Sequence, residues 1–195
     1  MRRFAMVVVT LVLAAAAAVA AVEQRGRGRM ATMALTASAF PSGGAMPSPH
    51  TQAGAERSPA LSWTGAPEGV ESFVLIVHDV TVPAGDGRDD LLYWMVWNIP
   101  GTATGLPENV PSGDELEDGT RQISVTGPYY RGPAAAPSAP PHHVVFDLYA
   151  LDTTLAVRPG GDSPAETRAE VIEAMAGHIR GRATLVGVVG GQMIR

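Results

Sequence analysis

Two apolar runs, Ser72–Asp79 (SFVLIVHD) and Leu91–Ile99 (LLYWMVWNI), constrain the fold of this chain more than any other feature. Both are shorter than an ordinary helix and dense in β-favouring and aromatic residues. The first is apolar at successive rather than alternate positions. They read as strands buried in the interior of a sheet, the second halted by Pro100. Further strands are expected around Leu61-Ser62-Trp63, within Thr32–Phe40 and over Ala183–Val189. Loops are expected over the Pro/Ser/Gly-rich Pro41–Pro59 and the acidic stretch from Glu108 to Asp118. After Pro141, period-two geometry puts His142, Val144, Phe146, Leu148 and Ala150 on one strand face and His143, Val145, Asp147, Tyr149 and Leu151 on the other. One segment is helical: Ser163 caps it, Pro164 opens it and Glu166 completes a capping box. Ala165, Ala169, Ile172, Met175, Ala176 and Ile179 recur at helical spacing, and Gly181 is the expected stop. With no βαβ alternation, the expected fold is mainly β with one or two peripheral helices.

The remaining composition narrows the function. At 195 residues and 46% hydrophobic, the chain fits one domain with a substantial core. All 14 basic residues are Arg, against 19 acidic ones, for a formal net charge of -5, which leaves no basic face for nucleic acid. The absence of cysteine excludes disulfides, thiolate catalysis and Cys-ligated zinc. Residues 1–22 carry Arg2 and Arg3 before an apolar run from Phe4 to Val22. They read as a signal peptide or an uncleaved N-terminal anchor, the only route to a membrane. Residues 23–33 then form a basic tether and 34–192 the domain. The expected location is periplasmic or secreted, with membrane anchoring, or a cytoplasmic product initiated at Met30 or Met33, as alternatives. Oligomeric state is open, a homodimer included.

The stretch most suggestive of function runs from Thr126 to Asp152, where a Gly/Pro/Tyr loop leads into a histidine that opens an apolar strand. Such a loop exposes backbone N–H groups around a cavity, and a strand holds the imidazole at its mouth, which suits a small anion. Asp79, ending a buried strand, is the best acidic candidate, although it reads equally well as a cap for the loop that follows. His142 and His143 point to opposite faces and cannot share a metal, and His78 fails beside Asp79 for the same reason. His178 suits the C-terminal dipole of the helix, and His50 lies in loop. No G-x-S-x-G elbow is present, and Ser138 with His142 and Asp79 has no supporting context. Binding without turnover and without a cofactor is the expectation.

The order of these segments resembles the phosphatidylethanolamine-binding protein family, in its bacterial Raf-kinase-inhibitor-like branch of the YbhB/YbcL type. The likeness spans about Ala34 to Gly190. It is carried by Ser58-Pro59-Ala60-Leu61-Ser62-Trp63, Gly65-Ala66-Pro67, Asp79 with Pro83, Tyr93-Trp94 through Asn98-Ile99-Pro100, Tyr130-Arg131-Gly132-Pro133, and His142 leading Phe146-x-Leu148-Tyr149-Ala150-Leu151-Asp152. The resemblance implies a β-sandwich-like domain, generally non-catalytic, with a pocket for phosphate-type groups or phospho-headgroups. Carried over by position, that pocket comprises Asp79, Pro83, Tyr93, Trp94, Gly127, Pro128, Tyr130, Gly132, Pro133 and His142. Three positions depart from the family pattern: Thr81 replaces the second Asp of the D-x-D element, Tyr93 replaces a His, and Val144 replaces a Tyr. A protein-interaction or protease/kinase-inhibitor role, using loops Pro41–Pro59 or Leu106–Thr120 beside a vestigial pocket, is the alternative.

Overall fold

The computed structural model describes residues 30–84, 89–135, 140–160 and 163–190. The expected leader, the tether up to Arg29 and Ser138 lie outside them. Ten strands, one α-helix and a short 3-10 turn at Ser48–His50 make up the described chain. The strands are β1 (Ala31–Thr32), β2 (Ala34–Ala37), β3 (Gly44–Ala45), β4 (Leu61–Thr64), β5 (Ser72–Ala84), β6 (Asp89–Pro100), β7 (Gly105–Leu106), β8 (Arg121–Ile123), β9 (His142–Leu151) and β10 (Ile179–Val189). The helix is α1 (Pro164–Met175).

The two apolar runs become β5 and β6, paired antiparallel inside a seven-stranded sheet ordered β1-β10-β9-β5-β6-β8, with β3 also on β10. The short β1 and β3 run parallel to β10, whereas the long neighbours are antiparallel. A second, three-stranded sheet, β2-β4-β7, places Leu35, Leu61 and Trp63 against Phe73, Leu75, Phe146 and Leu148 of the large sheet. The opposite face of the large sheet, with Val74, Ile76, Met95 and Trp97, receives Val171 and Met175 of α1. Burial on both faces is what the unbroken apolar runs required. The expected sandwich resolves into two open sheets of unequal size, with the helix on the far side.

Three local expectations change. Ala31–Thr32, read as tether, pairs with Gly181–Arg182, and Met33 is buried in the core. The cap at Ser163 forms as expected, its Oγ accepting from the Glu166 N–H at 3.2 Å, but α1 stops at Met175. Gly177, at φ +84°, turns the chain, so Ile179 and Gly181 belong to β10. The buried helix face is Thr167, Val171 and Met175, while Ile172 is 48% exposed. Apolar residues lie on more than one side of this helix, and its packing partner selected among them.

Candidate functional site

Alternation along β5 sends Val77 and Asp79 to the face covered by the small sheet and Ile76 and His78 to the helix face. Asp79 sits opposite Val144 of β9, two residues from His142 on the same face. The imidazole reaches back along that diagonal, and its Nδ1–H donates to Asp79 Oδ2 at 2.6 Å. Between β5 and β6 the register shifts at Val77/His78, where Trp94 and Leu92 are the partners and Tyr93 is the extra residue. This bulge lets the adjacent Tyr93 and Trp94 both join the core on the site's side. The Tyr93 hydroxyl donates to the same Asp79 Oδ2 at 3.2 Å. Acid, phenol and imidazole, far apart in sequence, therefore converge.

A second register shift, between Asp79 and Pro83, folds the chain back on the acid. The Thr81 N–H donates to Asp79 Oδ1 at 2.9 Å, and the Thr81 hydroxyl donates to the same oxygen. The loop-cap role and the ligand-site role of Asp79 are both realised, one on each carboxylate oxygen. The carboxylate is 0% exposed and accepts four hydrogen bonds, as many as its lone pairs provide. Burial alone would push its pKa up. Hydrogen bonds from Thr81 and His142, together with the His142 charge, more than reverse this and hold the carboxyl below its ordinary value. An ionised acceptor fixes the proton on His142 Nδ1, and among the described residues the other ring nitrogen, Nε2, has no hydrogen-bond partner. The His142 side chain is 19% exposed. In the neutral ring Nε2 is an acceptor; with a second proton it becomes a cationic donor.

Burial, the Asp79 charge and the bond to Asp79 push the Tyr93 phenol above its ordinary pKa. The Arg131 N–H donates to the Tyr93 carbonyl at 3.0 Å, which joins the Tyr130–Ala135 loop to β6 beside the site. A cleft of about 550 Å³ lies alongside, lined in part by Met46, Thr51, Gln52, Ala134 and Val189. One of these residues connects it to the dyad: Val189 is the register partner of His142.

The other expected site residues play supporting parts. Trp94 is fully buried, its indole N–H donates to Gln122 Oε1 at 2.8 Å, and its ring meets Tyr130 edge-on with centroids 5.6 Å apart. The Tyr130 hydroxyl is turned away, donating to the His50 carbonyl at 2.8 Å. Both aromatics are packing behind Tyr93 rather than ligand groups. Pro83 enters only through its strand register with Asp90. Gly127, at φ +151°, and Pro128 form a separate turn closed on Ser124 and Gly113, with no contact to the triad among the bonds described. Pro133 lines the cleft.

The expected cradle of loop N–H groups is corrected by where those groups go. The N–H of Gly127 donates to Ser124 O, that of Tyr129 to Gly127 O, that of Arg131 to Tyr93 O and that of Gly132 to Glu56 Oε2. They hold the loop in shape and are not free for an anion. A clamp from the preceding loop does the same work: Gln52 Nε2 donates to Gly132 O at 2.8 Å, and Arg131 bridges Gln52 and Glu56. Gly132 runs so close to Thr51 that a Cβ would lie 2.8 Å from its carbonyl carbon. The sequence reading did not pick out Ala134, Gln52 or Glu56, and it noted Thr81 only as a departure from the family's D-x-D element. Only Thr81, two residues past a buried Asp, carried a local signal.

On the opposite face, His78 donates to Asp90 and, at 3.4 Å, to Asp147. Arg168 of α1 pairs with Asp90 at 2.6 Å, and Arg182 with Asp147 at 2.9 Å. His50 and His178 are also tied up, on the Arg57 carbonyl and on Asp152, so the His178 ring serves a side-chain hydrogen bond rather than the helix dipole. Among the described residues no three acidic or imidazole side chains converge as metal ligands.

The comparisons agree with this architecture. The family described as phosphatidylethanolamine-binding protein matches residues 36–190. A UPF0098 protein from Methanothermobacter thermautotrophicus is 40% identical over 158 residues, covering 80% of this chain and 97% of that protein. The crystal structure of a phosphatidylethanolamine-binding protein homolog from Chlamydia trachomatis superposes with a TM-score of 0.68 at 30% identity, over 83% of this chain and 99% of that one. Escherichia coli YbcL superposes with a TM-score of 0.65 at 25% identity, over 82% and 99%. The chain belongs to the phosphatidylethanolamine-binding protein family. Within it, the similarity to YbcL and the UPF0098 proteins puts the chain in the YbcL-type branch.

Proposed function

We propose that this protein binds a small oxyanion of the phosphate type at His142 and does not turn it over. The observation that carries the reading is the Asp79–His142 bond, which fixes one ring nitrogen and leaves Nε2 for a ligand. Tyr93 and Thr81 complete the shell of Asp79, so the buried charge serves to orient the imidazole. No Ser or Thr hydroxyl among the bonds described sits on His142 as a nucleophile would, which supports binding over hydrolysis. Isothermal titration calorimetry with inorganic phosphate at pH 5.5 and 8 tests it. Inorganic phosphate should bind, and His142→Ala should weaken that binding by about tenfold or more. Absence of heat at either pH, unaltered by the substitution, would remove the reading.

A protein-interaction role has one observation in its favour. A cleft of about 570 Å³ lies where the segment around Ala55–Ser58 meets Asn109–Ser112 and Tyr129–Arg131, within and beside the loops expected to engage a partner. A partner retained by His142→Ala would favour it. The basic-then-apolar residues 1–22 support export to the periplasm or beyond. The N-terminal mass of the exported protein tests that assignment, with an end near Ala21 expected if the leader is removed.

A further inference from the structure

We infer that the site selects anions with an uncharged body and rejects those carrying an ammonium group, and that Thr81 is the residue that sets this selectivity. The inference rests on the anion-binding reading and adds the class of ligand to it.

Its first support is the accounting of Asp79. An ammonium group entering beside the phosphate subsite needs an acceptor, and the charge within the dyad is the Asp79 carboxylate. Its four acceptor positions are taken by the Thr81 N–H, the Thr81 hydroxyl, the Tyr93 hydroxyl and His142 Nδ1–H, and none of it is exposed. The ammonium would have to displace one of these donors or go without a partner.

The second support is independent of the dyad. The adjoining cleft, joined to the site through Val189, is lined by small, apolar and neutral polar residues. Gln52, Ser48 and Thr51 supply hydrogen-bonding groups, Met46, Ala135 and Val188 supply apolar wall, and no described residue of the lining is charged. Its volume, about 550 Å³, is in the range of small-molecule sites. A body held there gains from hydroxyls and short hydrocarbon, whereas a cation would be desolvated without compensation. The ligand class that fits both halves is the phosphomonoester of a neutral alcohol.

Among the four donors, the Thr81 hydroxyl is the one whose removal leaves the others in place. Thr81 is exposed on the bulge and outside the packed core, so replacing it leaves the hydrophobic clusters intact. Thr81→Val keeps the N–H and the shape of the side chain while freeing one lone pair of Oδ1; Thr81→Ser keeps the hydroxyl.

The test compares propyl phosphate with phosphoethanolamine, which differ by a methyl group against an ammonium, by calorimetry on the full chain at pH 5.5. Propyl phosphate should bind about tenfold or more tightly than phosphoethanolamine. Thr81→Val should narrow that ratio to within about threefold, and Thr81→Ser should restore it. Phosphoethanolamine binding as tightly as propyl phosphate, or a ratio indifferent to Thr81→Val, overturns the inference while leaving anion binding intact. Silence from both esters and from inorganic phosphate overturns the anion-binding reading itself and the selectivity with it.

Discussion

Asp79 shows how one residue can be read two ways from sequence and be both. A carboxylate at the end of a buried strand must either cap its own chain or orient a partner. Here Oδ1 caps through Thr81 and Oδ2 orients His142 and Tyr93. Asp79→Asn keeps the volume but presents an amide N–H₂ to groups that all donate, so at least two of them lose their acceptor. We expect a loss of about 2–3 kcal/mol in urea denaturation at pH 7, together with weakened phosphate binding. The same carboxyl makes stability pH-dependent. Its native pKa lies below the unfolded value of about 3.9, so its contribution is whole above that pH and fades as acid titrates through the native value. The chemistry of Asp79 and His142 was legible because buried strands tolerate few charges. The consumption of the loop N–H groups was not, because Glu56 and Gln52 reach Gly132 from 76 and 80 residues away.

At the scale of elements, the buried parts of β2, β4, β5, β6, β9 and β10 were read from the sequence, whereas β3 falls in an expected loop, β7 and β8 were not anticipated, and the helix face was misassigned. Strands such as β9 have a period of two, which leaves one alternative face, and His142, Val144, Phe146, Leu148 and Ala150 fell on the site side as expected. The helix α1 offers several candidate stripes, and only the sheet beneath it chooses Thr167, Val171 and Met175. A paired substitution checks that choice. Met175→Ala should cost about 2–4 kcal/mol in thermal or urea unfolding, and Ile172→Ala no more than about 0.5 kcal/mol. Equal costs would place the helix on another face. The bulges in β5 and β6 also escaped the sequence reading, since each depends on its partner strand. They bring Tyr93 beside Trp94 and Thr81 back onto Asp79, so the irregular positions of the sheet are the ones that build the site.

Across the whole molecule, the large sheet separates two polar clusters of different kinds. On the small-sheet side one ring nitrogen of the dyad has no hydrogen-bond partner among the described residues. On the helix side His78 is closed between Asp90 and Asp147, which Arg168 and Arg182 pair in turn, so α1, β6, β9 and β10 are held together by charge. Burial disfavours the His78 cation, but the hydrogen bonds to Asp147 and Asp90 and the charge of Asp90 outweigh it and raise its pKa. Asp147 is held down to about 2, against the push of its own burial, by bonds from His78, Thr184 and Arg182. The raised His78 pKa stabilises the fold fully below the unfolded value of about 6.5, and that contribution is lost as pH rises through the native value. The melting temperature should therefore decline from about pH 6.5 upward, and His78→Gln should flatten the decline; a profile unaffected by His78→Gln would show the cluster to be thermodynamically idle. The central claim, however, concerns the other face: Asp79 holds His142 so that Nε2 is the nitrogen that meets an anion. Imidazole ¹⁵N spectra of the labelled protein, recorded from pH 8 to 5 with and without inorganic phosphate, test this directly. The account predicts a proton on His142 Nδ1 throughout, and a phosphate-induced shift at Nε2 of His142 but not of His143. A His142 ring protonated first on Nε2, or phosphate leaving that ring unshifted, would contradict it.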